Sequence, residues 1–567
     1  MLNNAVEKRL AAFLSWGSLA ITLLVTDRVN MDPANLGKMV LLSTIAGGVF
    51  ALTVSKYKKF YLSHKLLTLS ILGFLLFSLI SIFATSSPWE KGFYGTYARN
   101  TGLLTYLSLS IILVAATKLN DVKSFKLIIR ALLLGGLINL IYCLYTLTGH
   151  DIFRWLNPYK KILGTFGNPN FISSFLGIFV AALSALIASS AISRMRKTFI
   201  LLVLILSIFS IVQSSSLQGL VVSASGIALV IFFYIRSKFT SSWFLGIYSL
   251  IAISGGIFSL LGVFQRGPLS NILYKSSISY RGEYWRAGIN MGLEKPYTGV
   301  GLDSYGVFYR AYREASAAVR PGVLVVTDAA HNVFIDIFAG VGVIGFSFYM
   351  VIVGLVIRSA IKLFRKRREY DPIFVILVVS WICYQLQSII SINQIGLAIW
   401  GWLLGGAIIG YESLVSCTDQ AQKHSQQVTS LKGKKTTDTK SNPISASMAL
   451  SLFVGTLVGL FIALPPFIAD TKSRPTNSGR TSEQTIAIAQ MWPPDNTRMN
   501  RIIVNLYSSK LYEEAQSLAV EAALKFPDDY VAWFTLNQIT PEGTSEKKAF
   551  IKHLHELDPY NPEFAPK

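Results

Sequence analysis

His331 is the side chain in this sequence best suited to moving a proton. A neutral imidazole accepts a proton from an attacking hydroxyl at ordinary pH. His331 and Asn332 open a long apolar run, so a helix starting there would hold the ring at a membrane surface. Of the six histidines, His64 and His424 fall beside basic loops, and His553 and His555 fall in the tail. His150 and His331 remain. Arg281 precedes Trp285 by four positions, which puts both on one face of a short helix. A guanidinium donates paired hydrogen bonds in a plane and so suits a diphosphate. Arg286 stands next to Trp285 and offers a second charge. A capping histidine and arginines that merely snorkel to the interface are the plain alternatives.

The residues between these two points shape a loop. Pro296 and Gly299-Val300-Gly301 supply turns and close backbone approach. No strand precedes them and no P-loop lysine follows, which excludes a nucleotide loop. Tyr305, Tyr309 and Arg310 are suited to stacking on or bonding sugars, or to an interfacial aromatic belt. Asp303, Asp328 and Asp336 are dispersed along the chain, with no carboxylate pair at ligand spacing, so no metal is expected. The three cysteines are scattered and suit neither a metal site nor a disulfide framework.

The elements that must position this stretch are apolar. Of 567 residues, 52% are hydrophobic and 14% charged, well below the roughly 25% of a soluble domain. Apolar runs long enough to cross a bilayer recur at about 10–26, 38–55, 66–85, 102–117, 126–148, 171–191, 198–213, 219–235, 242–264, 332–361, 372–391, 394–412 and 445–468. The expected fold is all-α, a polytopic membrane helical bundle of about 12–13 spans. The net charge of +22 resides in short loops and does not point to nucleic acid. Lys56, Lys58, Lys59 and Lys65, then Lys118, Lys123 and Lys126, then Arg194, Arg196 and Lys197, then Arg236 and Lys238, then Arg365–Arg368 all follow even-numbered spans. The positive-inside rule makes that side cytoplasmic. The loop 265–330 then faces outward, as do Trp89–Thr101 with Arg99, and His150–Asn170 with its Gly164-Thr165-Phe166-Gly167-Asn168-Pro169-Asn170 turn.

Residues 1–412 thus form the membrane domain, 413–444 read as a polar cytoplasmic linker, and 445–468 as a last span. A second polar linker, 470–483, leads to a soluble unit at 484–567. There Arg498–Asp528 reads helix, turn, helix, and a similar unit begins near Trp533. The spacing approaches the tetratricopeptide period, which predicts a helical-repeat domain with a groove for a partner.

The ordered set Arg281, Trp285, Pro296, Gly299-Val300-Gly301, His331-Asn332, Gly342 and Gly345, in one loop between two spans, resembles the bacterial O-antigen ligase and polymerase family. That family includes the O-oligosaccharyltransferases. The Gly164–Asn170 run is similar to a corresponding family segment. The resemblance implies a metal-independent glycosyltransferase of the bacterial plasma membrane. Its donor would be an undecaprenyl-diphosphate-type lipid-linked glycan, and its acceptor a hydroxyl on a lipid core sugar, a glycan or a protein Ser/Thr. No cofactor is implied. His331 would take the acceptor proton and Arg281 would bind the diphosphate, with Trp285, Arg286, Asn332, Tyr305, Arg310, Arg99 and Gln218 about the substrates. Two positions depart from the family pattern. Gln218 stands where an arginine is usual, so Arg99, Arg154 or Arg286 is expected to compensate. Gly340 stands where a glutamate is common, with Asp336 the nearest acid. A transporter or flippase of the lipid-linked glycan is the rival reading, but it would need ionisable residues in mid-span. A scaffold built around the tail is a third.

Overall fold

The computed structural model describes residues 4–56, 64–158, 160–263, 265–273, 279–427, 446–475 and 479–565. Among them all regular structure is helical. Eleven helices are long and apolar enough to cross a membrane. Two further expected spans differ. Leu103–Ala116 is apolar but has only 14 residues, short of the ~20 needed to cross a bilayer core. Asn4–Leu23 has the length but is not among the eleven. Helix starts follow the sequence closely: Asp121, Asn168, Asn332 and Asp371 each cap a following helix by accepting backbone N–H bonds.

The bundle packs through small residues. Gly455 and Gly459 on helix Ala446–Ser473 meet the backbone of Gly47 and Ser43 on helix Leu36–Lys56, and Ser43 Oγ donates to Gly459 O at 2.9 Å. Without side chains at the crossing the two backbones approach closely. Helix Leu217–Lys238 runs antiparallel to Pro372–Ile390: Phe233 stacks edge-on against Phe374, and Cys383 Sγ contacts Val222 O at 3.6 Å. At the far end Arg236 donates to Phe364 O and Arg367 O. Several of the basic residues therefore gather at the end of the bundle opposite Arg281 and His331.

Three sequence boundaries are revised. Helix Ile395–Gln427 runs well into the expected 413–444 linker, whose remainder, 428–444, lies outside the described residues, as do Lys58 and Lys59. The last apolar helix continues to Ser473, leaving a much shorter connection than 470–483. The tail is also not a detached unit. Its helices Asn496–Ser508, Tyr512–Lys525, Tyr530–Ile539 and Ser545–Leu557 form two successive pairs that begin about 34 residues apart, near the tetratricopeptide period. This unit sits directly on the 265–330 and Trp89–Thr101 loops. Arg313 Nη2 and Arg310 Nη1 donate to the two carboxylate oxygens of Asp558 at 2.6 and 2.8 Å, and Arg313 and Asp558 are fully buried. Arg310 also lies over the Tyr530 ring, and Trp492 packs on Trp89 and Tyr94 while donating to Glu90 Oε1 at 3.0 Å.

Candidate functional site

Helix Val333–Lys366 is broken where the site is built. Gly342 has φ 70° and ψ −176°, and the freed carbonyls are taken by the loop. Val300 N–H donates to Ala339 O at 2.9 Å, Gly301 N–H donates to Gly340 O at 3.0 Å, and Val343 N–H donates to Pro296 O at 2.7 Å. The Pro296–Gly301 turn is thus stitched onto the broken helix by backbone bonds. A Cβ at Gly342 would lie 2.5 Å from Pro296 O, and one at Gly299 (φ 64°) would lie 2.4 Å from Gly340, so both positions demand glycine. A Cβ at Gly340 would lie 3.2 Å from Gly301 O and 3.3 Å from Leu302 Cα, so any side chain there would press on the turn.

His331 is set just before the helix. Its own φ is 53°, a left-handed turn residue held from both sides. Ala330 N–H donates to Asp336 Oδ1 at 2.7 Å, and Asn332 caps the helix by accepting from Phe334 N and Ile335 N. Asn332 and Asp336 therefore aim the histidine, with their side-chain oxygens engaged in doing so. The imidazole lies against the Tyr284 ring, centroids 5.8 Å apart. Burial, reinforced by the nearby Arg281 and Arg99 guanidinium groups and opposed by Asp328, pushes the His331 pKa down to about 4. The ring is neutral at pH 7 and free to accept a proton.

Arg281 starts helix Arg281–Glu294, and this helix confirms the one-face spacing with Trp285. Arg281 Nη1 donates to Ile390 O at the end of helix Pro372–Ile390, with no carboxylate partner among the described residues. Burial lowers its pKa to about 10, leaving it charged. Trp285 Nε1 is buried and has no acceptor. One turn below Ile390 is Gln387. The antiparallel register that brings Cys383 to Val222 brings Gln387 to the level of Gln218, one turn outward on each helix. Both glutamines are buried, and neither has a partner for its amide nitrogen or oxygen. Buried polar groups are normally satisfied, so Trp285, Gln218 and Gln387 form a set of unmet hydrogen-bonding groups near Arg281, on one side of the bundle end.

The remaining expected residues are engaged elsewhere. Arg99 is tied to Asp328 by Nε–Oδ2 at 2.7 Å and Nη2–Oδ1 at 2.6 Å. Arg286 pairs with Glu283 and Glu314, and Arg310 with the tail. Tyr305 is buried, donating to Tyr284 O at 2.6 Å and stacked on Tyr309; it supports the histidine's tyrosine wall. The three aspartates are not dispersed in space: Asp303, Asp328 and Asp336 line one small cavity with Arg99 and Asn393. Burial alone would lower the Arg99 pKa, but the Asp328 and Asp303 carboxylates more than offset it and raise it. Arg99 in turn holds Asp328 below the usual carboxylate range, outweighing the opposing effect of burial. Among the described residues no group of three His, Cys, Asp or Glu could hold a metal ion. Gln387 and the pairing of Arg99 with Asp328 went unnoticed in the sequence because the partners are far apart along the chain.

These features define a class: a polytopic, all-helical membrane protein whose polar site lies at one end of the bundle, over a broken helix. Within it, residues 202–350 match the family described as O-Antigen ligase. The match takes in Gln218, Arg281, His331 and the Gly342–Gly345 break, and leaves Arg99, Gln387 and the tail outside. No curated protein matches the chain.

Proposed function

We propose that the protein transfers a glycan from a polyprenyl diphosphate carrier to a hydroxyl acceptor at the outer face of the bacterial plasma membrane. The observation that carries this reading is a neutral, oriented His331 beside a buried Arg281 that lacks a carboxylate partner. The acceptor oxygen attacks the anomeric carbon and its proton passes to His331. The bond between that carbon and the diphosphate oxygen breaks, and the diphosphate leaves with the electron pair, against Arg281. The leaving group is already good, so positioning and charge stabilisation do most of the work. Trp285, Gln218 and Gln387 supply the hydrogen-bonding groups for the headgroup and first sugar, in place of the arginine usual at position 218.

The test is transfer from a polyprenyl-diphosphate-linked glycan in proteoliposomes. His331→Ala should slow it by about a hundredfold to ten-thousandfold, the usual contribution of a positioned base, with the donor still bound. Transfer at the parent rate would remove the histidine from the mechanism. The polar site gathered at a bundle end also favours transfer over transport, which would place ionisable groups in mid-span along a pathway.

A further inference from the structure

Between the tail and the loops it sits on lies a cavity of about 240 Å³. Tyr94 and Tyr97 come from one side, Phe526 and Tyr530 from the tail. Asp328 borders both this cavity and the small aspartate-lined one, whose wall includes Ala329 and Val333 on either side of His331 in the chain. Most polar groups on the wall are already used. Asp470 accepts from Tyr97 Oη and from the backbone of Met31 and Asp32, Glu90 accepts from Trp492, and Asp495 and Asp529 cap helices. Among the described residues the side-chain oxygens of Asn100 and Asn496, one from each side of the cavity, are buried and unpartnered.

We infer that this cavity is a saccharide-binding site which holds the acceptor, with the tail forming one wall. The inference rests on the glycan-transfer reading above and deepens it by naming the acceptor's class and its seat. Sugars present apolar C–H faces rimmed by hydroxyl groups. Aromatic rings with polar tips match that pattern. The orphaned asparagine oxygens need hydrogen-bond donors, which a sugar carries on nearly every carbon. A peptide acceptor fits less well, because the walls are helices and capped turns and offer no open backbone edge to pair with. The geometry also explains why the tail is docked rather than tethered: without it the cavity has one wall.

The experiment uses the full-length protein in detergent, without donor, and tri-N-acetylchitotriose as the probe, followed by saturation-transfer NMR. Val531 and Thr497 border the cavity from the tail side and are solvent-exposed. Val531→Trp and Thr497→Trp should therefore plug the cavity without disturbing the fold, and each should weaken binding by at least about tenfold. Binding that is absent in the parent protein, or unchanged in both plugged variants, overturns the inference. So does binding of a Ser/Thr-containing peptide in the cavity when the trisaccharide fails to compete. Transfer is measured on the same preparations. Saccharide binding that persists while no transfer from a lipid diphosphate can be found would defeat the proposed reaction and not the site.

Discussion

At the residue scale the two central groups set opposite limits on pH. In the proposed reaction His331 works as the neutral ring, and its pKa is pushed down to about 4. Activity is therefore lost as pH falls through about 4. Arg281 works as the cation, and its pKa is lowered to about 10, so activity is lost as pH rises through about 10. The kcat/KM profile, which reports the free enzyme, should be flat between those limits. A fall near pH 6.5, the ordinary histidine value, would mean that His331 is not buried as described. Arg281→Lys should restore transfer only partly after Arg281→Ala, since an ammonium cannot make the paired contact. Gln218 makes a separate prediction. Its amide is buried without a partner, which typically costs about 1–3 kcal/mol. Gln218→Leu should raise the melting temperature while weakening donor binding. If stability and donor binding both fall, the glutamine is structural.

The element scale explains what could be read from sequence and what could not. Helices announced themselves, because uninterrupted apolar runs closed by Asn, Asp and Pro caps have few other ways to fold. The loop glycines were also legible as glycines, though not their reason: that Val300 and Gly301 donate backbone bonds into a helix broken at Gly342 depends on residues about 40 positions away. The same limit hid the pairings of Arg99 with Asp328 and of Gln218 with the level of Gln387. Spacing along one helix shows a face; it does not show which distant helix covers it. Gly342→Ala tests the break directly. Alanine is strained at φ 70° and its Cβ collides with Pro296 O, so the change should destabilise by more than about 1 kcal/mol. It should also lower transfer, because the turn that the break anchors leads into Tyr305 and the wall behind His331. Parent-like melting and transfer would show that the helix can close without loss.

At the scale of the whole molecule the informative contact is Asp558. Composition alone separated a soluble tail from an apolar bundle, and a boundary in composition is easily mistaken for a boundary in mechanics. The fold joins the two parts through one carboxylate shared by Arg310 and Arg313. Helix Tyr305–Tyr312 also carries Tyr305 and Tyr309, which back the ring against His331, so the tail grips the element that supports the site. Asp558→Ala would leave Arg313 buried without an opposite charge, an arrangement that typically costs about 3–5 kcal/mol. Detaching the tail is the cheapest escape, since it returns the arginine to water. Trypsin should then cut the short connection near Lys472, Arg474 and Arg480 faster in Asp558→Ala than in the parent, and release a fragment of the size of the tail. Transfer should fall along with the docking, although no residue of the reaction has been changed. The double variant Arg313→Met, Asp558→Leu removes both charges and should recover much of the docking, because a well-packed apolar pair of similar volume often replaces a buried ion pair at little cost. Equal cleavage rates in parent and Asp558→Ala would show that the tail is held by its aromatic seam at Trp492 instead.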